Sequence, residues 1–140
     1  MKLHEAVRNM MNWPIIIEIP GDLQVTSKNR LSLNHRKNWR IASEARERAR
    51  LAWLAAGRPK STVPVRVDLI IYRARRVDQS NAWTAAQPYL DGCMSANRNQ
   101  GQGVVPDDGE KWLTLGTVTQ ETGFCFKRKE YVELRIMPRN

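Results

Sequence analysis

The chain reads as a single α+β domain: a mixed β-sheet with helices packed on it, the elements running β-α-β-α-β-β. Three observations predict this. The length, 140 residues, is that of one domain, enough to bury roughly two-thirds of the unfolded surface without staples. Alternating or β-branched segments are separated by two stretches of helical composition. Two strand-like segments then follow each other at the end, as in a terminal hairpin.

Residues 1–12 read as a short polar or helical extension, ahead of a domain over 13–140. Ile15 to Ile19 is β-branched and bounded by Pro14 and Pro20-Gly21, which predicts the first strand. Gly21 to Asn34 is polar and turn-rich, with Leu31, Leu33 and Trp39 as its anchors to the core. Lys37 to Ala56 is dense in Ala, Arg, Glu and Leu, all strong helix formers. Ile41, Ala45, Ala49, Ala52, Trp53 and Ala56 recur there at helical spacing and mark a buried stripe. Gly57 and Pro59 stop that helix.

From Val63 to Tyr72 the pattern alternates, with Val65, Val67, Leu69 and Ile71 on one side and Arg66, Asp68 and Ile70 on the other. A second helix is expected from about Ser80-Asn81 to Met94, although Pro88 removes a backbone donor inside it. The composition of Ser95 to Gly103 predicts a flexible loop. Lys111 to Thr119 and Tyr131 to Met137 are the final strands.

Charge bounds the partners. Lys and Arg total 23 against 14 acids, a formal net charge of +9. A basic domain of this size meets a polyanion, most commonly nucleic acid, with ribosomal or membrane-surface association as the competing reading. Cys93 and Cys125 form no CxxC pair and have no His cluster near them, which argues against zinc and for free thiols in a reducing compartment. The apolar run Ile15-Ile16-Ile17 is too short to span a bilayer. Lys2, His4, Glu5 and Arg8 interrupt Met1 to Met11, so no signal-peptide stretch is present there. The expected location is the cytoplasm.

Two acidic segments stand out on this basic background. Asp78 follows the central strand and precedes the second helix, and Asp91 lies about three turns further on. Asp107 and Asp108 precede a strand. Mg²⁺ takes one or two carboxylates together with water and substrate phosphate, and it activates water toward a phosphodiester. Asp78 beside Asp108 would make such a site, with Asp91 in support. Ordinary structure accounts for the same residues, since Pro106-Asp107-Asp108-Gly109 is turn chemistry and Asp91-Gly92 suits a helix end.

Taken in order, these pieces resemble the RusA family of Holliday junction resolvases, over roughly residues 15–137. The resemblance runs through the Pro20-Gly21 turn, Asn34-His35-Arg36 and Trp39, and the Arg-rich strand end. It continues through Asp78-Gln79-Ser80-Asn81, Asp91-Gly92 and Val104-Val105-Pro106-Asp107-Asp108. It implies a small homodimeric, Mg²⁺-dependent endonuclease (Mn²⁺ as an alternative ion) that cuts four-way DNA junctions. Asp78 matches the first motif aspartate, Asn81 the asparagine, Asp91 the helix aspartate and Asp108 the catalytic member of the later pair, supported by Asp107. Ser80 stands where the family has a second aspartate. Thr84 or Gln87 stands where it has a lysine, and the loop from Gly92 to Val104 is longer than usual. Ser80 could coordinate the ion but brings no charge, so the expected activity is reduced, altered or lost while DNA binding survives.

Arg36, Lys37, Arg40, Arg73, Arg75 and Arg76 are the expected phosphate contacts, whereas Arg46 and Arg48 read as a solvated face. Trp39, Trp53, Trp83 and Trp112 read as core or dimer-interface residues. Phe124 and Phe126 suit either a wedge into a junction or hairpin packing. Three functions follow: a junction endonuclease, a catalytically degenerate branched-DNA-binding protein, or a basic RNA-binding domain.

Overall fold

The computed structural model describes residues 13–21, 35–122 and 130–139. The elements are β1 (Ile15–Pro20), α1 (His35–Ala55), β2 (Val65–Tyr72), α2 (Gln79–Cys93), β3 (Leu113–Glu121) and β4 (Tyr131–Pro138). Their order and the mixed sheet are those the sequence predicts. The expected extension over residues 1–12, Leu31 and Leu33, Cys125, and Phe124 with Phe126 lie outside the described residues.

The sheet order is β1-β4-β2-β3, and this corrects the terminal hairpin. β4 does not pair with β3. It runs antiparallel to both β1 and β2, with Leu134 opposite Ile17 on one side and Leu69 on the other. β3 instead pairs parallel to β2, on the far edge. The reason is burial. Val132, Glu133 and Leu134 are buried in succession, with Ile136 beyond them, and a strand flanked on both sides shields such a run most completely. By contrast β3 alternates weakly and carries Thr114, Thr117 and Thr119 exposed, which an edge tolerates.

One face of the sheet forms the core with the helices. Ile17, Ile19, Val65, Val67, Leu69 and Ile71 are fully buried against Ala45, Ala49, Ala52 and Trp53 of α1 and Ala82, Ala86 and Tyr89 of α2. The predicted stripe on α1 is thus largely present, with Ile41 half-buried and Ala56 exposed just past the helix end. Trp53 donates its indole N–H to the Pro59 carbonyl at 2.8 Å, so its polar edge is satisfied inside the core. On the open face, the Tyr72 and Tyr131 rings stack 4.4 Å apart.

Edge strand β3 carries a bulge. Two residues, Gly116 and Thr117, stand opposite Asp68 alone, and the Thr117 N–H and hydroxyl both donate to Asp68 Oδ1. A Cβ at Gly116 would meet the Asp68 carboxylate and the Arg66 guanidinium, so a side chain there would displace the ends of both. Such a bulge bends the exposed edge and discourages further strand pairing.

Arg48 ties three elements together, which corrects its assignment to a solvated face. Its guanidinium donates to the Pro20 carbonyl at the end of β1 and to the Tyr89 hydroxyl on α2, and it lies over the Tyr89 ring. The helices approach closely at Gly92. A Cβ there would lie inside contact distance of the Arg46 carbonyl and 2.9 Å from Ala49 Cβ. Helix propensity alone favours Gly92→Ala by about 1 kcal/mol, but the clash with backbone on α1 opposes it by about 1–3 kcal/mol. The expected result is net destabilisation in a urea titration monitored by circular dichroism.

Candidate functional site at the two ends of helix α2

Asp78 is the N-cap of α2. Its Oδ1 accepts the Ser80 backbone N–H at 2.8 Å and the Ser80 hydroxyl at 2.6 Å. Such a cap satisfies a helix donor that otherwise lacks a partner. Ser80 therefore supplies a proton to the carboxylate at the position where the resemblance expects a second aspartate. Asn81 is half-buried in the same first turn. The turn before the helix is pinned to β3 by an amide network. Gln120, buried on β3, exchanges hydrogen bonds with both main-chain groups of Val77 at 2.9 and 3.0 Å and donates to Gln79 Oε1 at 2.8 Å. Gln79 in turn donates to the Val118 carbonyl at 2.7 Å. Sequence reading missed Gln79 and Gln120. The available signal was a glutamine two positions after Val118, on the core-facing side of a strand.

The helix carries on through Pro88 to Cys93, so the proline does not break it. Cys93 is a free, buried thiol whose pKa burial pushes far up, and Sγ donates to the Tyr89 carbonyl. Near this end Gln87 donates to Asp91 Oδ1 at 3.1 Å. Beyond it, residues 95–103 are a compact set of turns, not the flexible loop their composition predicts. Asn99 Nδ2 donates to the Asp91 and Ser95 carbonyls at 2.6 and 2.8 Å, and Ser95 bridges to Val105. Asn97 N–H donates to the Pro106 carbonyl at 3.0 Å. From this loop Arg98 Nε donates to Asp108 Oδ2 at 2.6 Å. Asp107 closes the adjacent turn by accepting the Gly109 N–H at 3.1 Å, as turn chemistry predicts. Arg139 holds the following residues through the Lys111 carbonyl and the Thr114 hydroxyl.

The Arg98 guanidinium holds the Asp108 carboxyl below the usual aspartate range. Arg98 itself is raised, first by its hydrogen bond to Asp108, then by the charge of Asp91. Asp91, Asp107 and Asp108 therefore share one electrostatic neighbourhood around Arg98.

Asp78 does not belong to it. Asp78 and Asp91 are thirteen positions apart along one helix, and at about 1.5 Å per residue their Cα atoms stand about 20 Å apart. The sheet repeats the separation. Asp78 lies beyond the C-terminal end of β2, while Asp108 lies before the N-terminal end of β3, which runs parallel to β2. The expected pairing of Asp78 with Asp108, supported by Asp91 and Ser80, does not form around one ion within this chain. Among the described residues no group of three or more His, Cys, Asp or Glu side chains is arranged to hold a metal. At the Arg98 end the available oxygen donors suit a hard cation that takes one or two carboxylates, with water and phosphate supplying the rest.

The expected DNA contacts are distributed around the Asp78 end and along α1. Arg75 and Arg76 are exposed between β2 and α2, Arg73 is half-buried, and Arg40 is exposed on α1. For Arg36 and Lys37 only the helical backbone is described. Trp53 is core and Trp112 packs against the core, but Trp39 and Trp83 are 67% and 41% exposed, so neither is a core residue of this chain. No helix among the described residues is long and apolar enough to cross a membrane. No protein-family model matches the chain, and no curated protein matches it.

Because its folded pKa is depressed, Asp108 contributes stability that is present above the ordinary aspartate value and is lost as pH falls through the lower, folded value. A carboxyl-detected NMR titration should place its midpoint below that of a free aspartate. In Arg98→Ala the midpoint should rise toward the ordinary value.

Proposed function

We propose that this chain is a structure-selective endodeoxyribonuclease of the RusA type, acting on branched DNA such as four-way junctions with Mg²⁺ or Mn²⁺ as the ion. The observation that supports this reading most directly is the acidic end of α2, where Arg98 pairs with Asp108 and feels the charges of Asp91 and Asp107, on a chain of net charge +9. Asp108 and Asp91, with Asp107 beside them, are the residues that would hold the ion. A bound ion supplies a Lewis acid at the phosphodiester and lowers the pKa of the attacking water. Arg40, Arg73, Arg75 and Arg76, with Arg36 and Lys37, would neutralise backbone phosphates and supply most of the affinity, in a salt-dependent manner. A two-fold homodimer matches the two symmetry-related strands of a junction.

A second reading, a protein that binds branched DNA without cutting it, is favoured by one specific contact. The Ser80 hydroxyl donates to Asp78 at 2.6 Å, so Ser80 meets the first acidic segment as a hydrogen-bond donor where a second carboxylate would share an ion with it. The same contact makes a test. Ser80→Asp would bring two carboxylates together at the helix N-terminus, a repulsion that a divalent ion relieves. In that variant Mn²⁺ should raise the melting temperature by about 4 °C, corresponding to ~1 kcal/mol of linkage, with no such rise in the unaltered protein.

Cleavage decides between the readings. With synthetic four-way junctions and Mg²⁺, the nuclease reading expects paired nicks that fall at least about a hundredfold in Asp108→Asn and Asp91→Asn. Asp78→Asn keeps a competent N-cap and should retain cutting. Loss of cutting in Asp78→Asn, with folding and binding intact, would instead place Asp78 at the reacting phosphate. Tight binding without cutting under any divalent ion would leave the binding reading alone.

A further inference from the structure

The acidic end of α2 poses an electrostatic problem for any DNA ligand. Asp91, Asp107 and Asp108 together repel a phosphate, and α2 offers no cation to offset them. Thr84 uses its hydroxyl on the Ser80 carbonyl, and Gln87 uses its amide on Asp91. The nearest cation comes from the loop that follows the helix. Among the described residues Arg98 makes one hydrogen bond, through Nε to Asp108 Oδ2 at 2.6 Å, and its side chain is 58% exposed. Nη1 and Nη2 have no partner among the described residues.

We infer that Arg98 supplies the cation that α2 lacks, and that its two terminal nitrogens receive a backbone phosphate of DNA beside Asp108. This inference rests on the function proposed above, because it takes DNA as the ligand at this end of the helix. A guanidinium is planar and offers five donors in a fixed fork, so one edge can hold a carboxylate while another grips phosphate oxygens. The loop that presents it is built for the purpose of holding one position. On one side of Arg98, the Asn97 N–H is tied to the Pro106 carbonyl. On the other, Asn99 is tied to the Asp91 and Ser95 carbonyls. Lys60 donates to the Gly101 carbonyl at 3.3 Å and Arg50 to Gln102 Oε1 at 3.1 Å, which anchors the far side of the loop to the chain around the end of α1. Stability does not account for the Arg98–Asp108 pair, because an exposed ion pair contributes little. A fixed, half-satisfied guanidinium beside the Asp108 carboxylate instead suits a residue that positions a phosphate.

The test compares the full-length protein with Arg98→Ala and Arg98→Lys. Binding to a fluorescent four-way junction is measured across a series of salt concentrations, with melting temperature recorded for each variant. Loss of one phosphate contact should lower the slope of log Kd against log salt by about one in Arg98→Ala. Arg98→Lys should restore the slope but, lacking the fork, only part of the affinity at low salt. Melting temperatures should agree among the three proteins. An unchanged slope and affinity in Arg98→Ala would overturn the assignment while leaving the nuclease reading to its own cleavage assay. Equal weakening in Arg98→Ala and Arg98→Lys with a fallen melting temperature would also overturn it, by making the loop contact structural. If the unaltered protein binds the junction but never cuts, the nuclease reading fails and the slope still decides the role of Arg98. If the unaltered protein does not bind the junction, both fall.

Discussion

Everything in this fold depends on β4 reaching the middle of the sheet. The last strand of the chain lies between the first and the second, hydrogen-bonded to both. Without it β1 has no strand partner, and β2 and β3 are left as a bare parallel pair. Its inward residues Val132, Leu134 and Ile136 fill the centre of the core between those of β1 and β2. Such long-range pairing costs loop-closure entropy before it returns any burial, so the sheet forms as one cooperative unit.

The second governing constraint is the rigidity of α2. A helix is a spacer of fixed length, and this one begins at Asp78 and carries Asp91 near its far end. Residues that lie close in motif order are thereby sent to opposite ends of the helix. At one end, capping chemistry and the Gln79–Gln120 amide pair fix the turn after β2. At the other, the turns of residues 95–103 bring Arg98 onto Asp108. Gly92 lets α2 approach the α1 backbone at Arg46 just where this second end is built, so helix packing and site geometry share one residue.

Charge organises the surface in a matching way. The exposed Arg75 and Arg76 adjoin the cap, while the acids at the opposite end are met by a single loop arginine. A polyanionic ligand therefore finds exposed arginines beside the cap, and at the end remote from Asp78 it finds Asp108 paired with Arg98. That asymmetry gives the two acidic segments different work: the first caps a helix, and the second shares charge with Arg98.

The sequence by itself determined the elements and the core. Alternation in Val65 to Ile71 and the alanine stripe ending at Trp53 are local periodic signals, and local signals specify which face is buried. Turn chemistry at Asp107-Asp108-Gly109 was legible for the same reason. Strand order was not, because two adjacent strand-like segments read alike whether they pair together or enclose another strand's place. Nor was the order hidden in SANRNQGQG, where Asn99 closes turns by reaching main-chain carbonyls that no composition reveals. The separation of Asp78 from Asp108, and the arrival of Arg98 beside Asp108, were decided only by tertiary structure. Motif order records which residues are present, whereas the length of a helix and the path of a loop decide which of them meet.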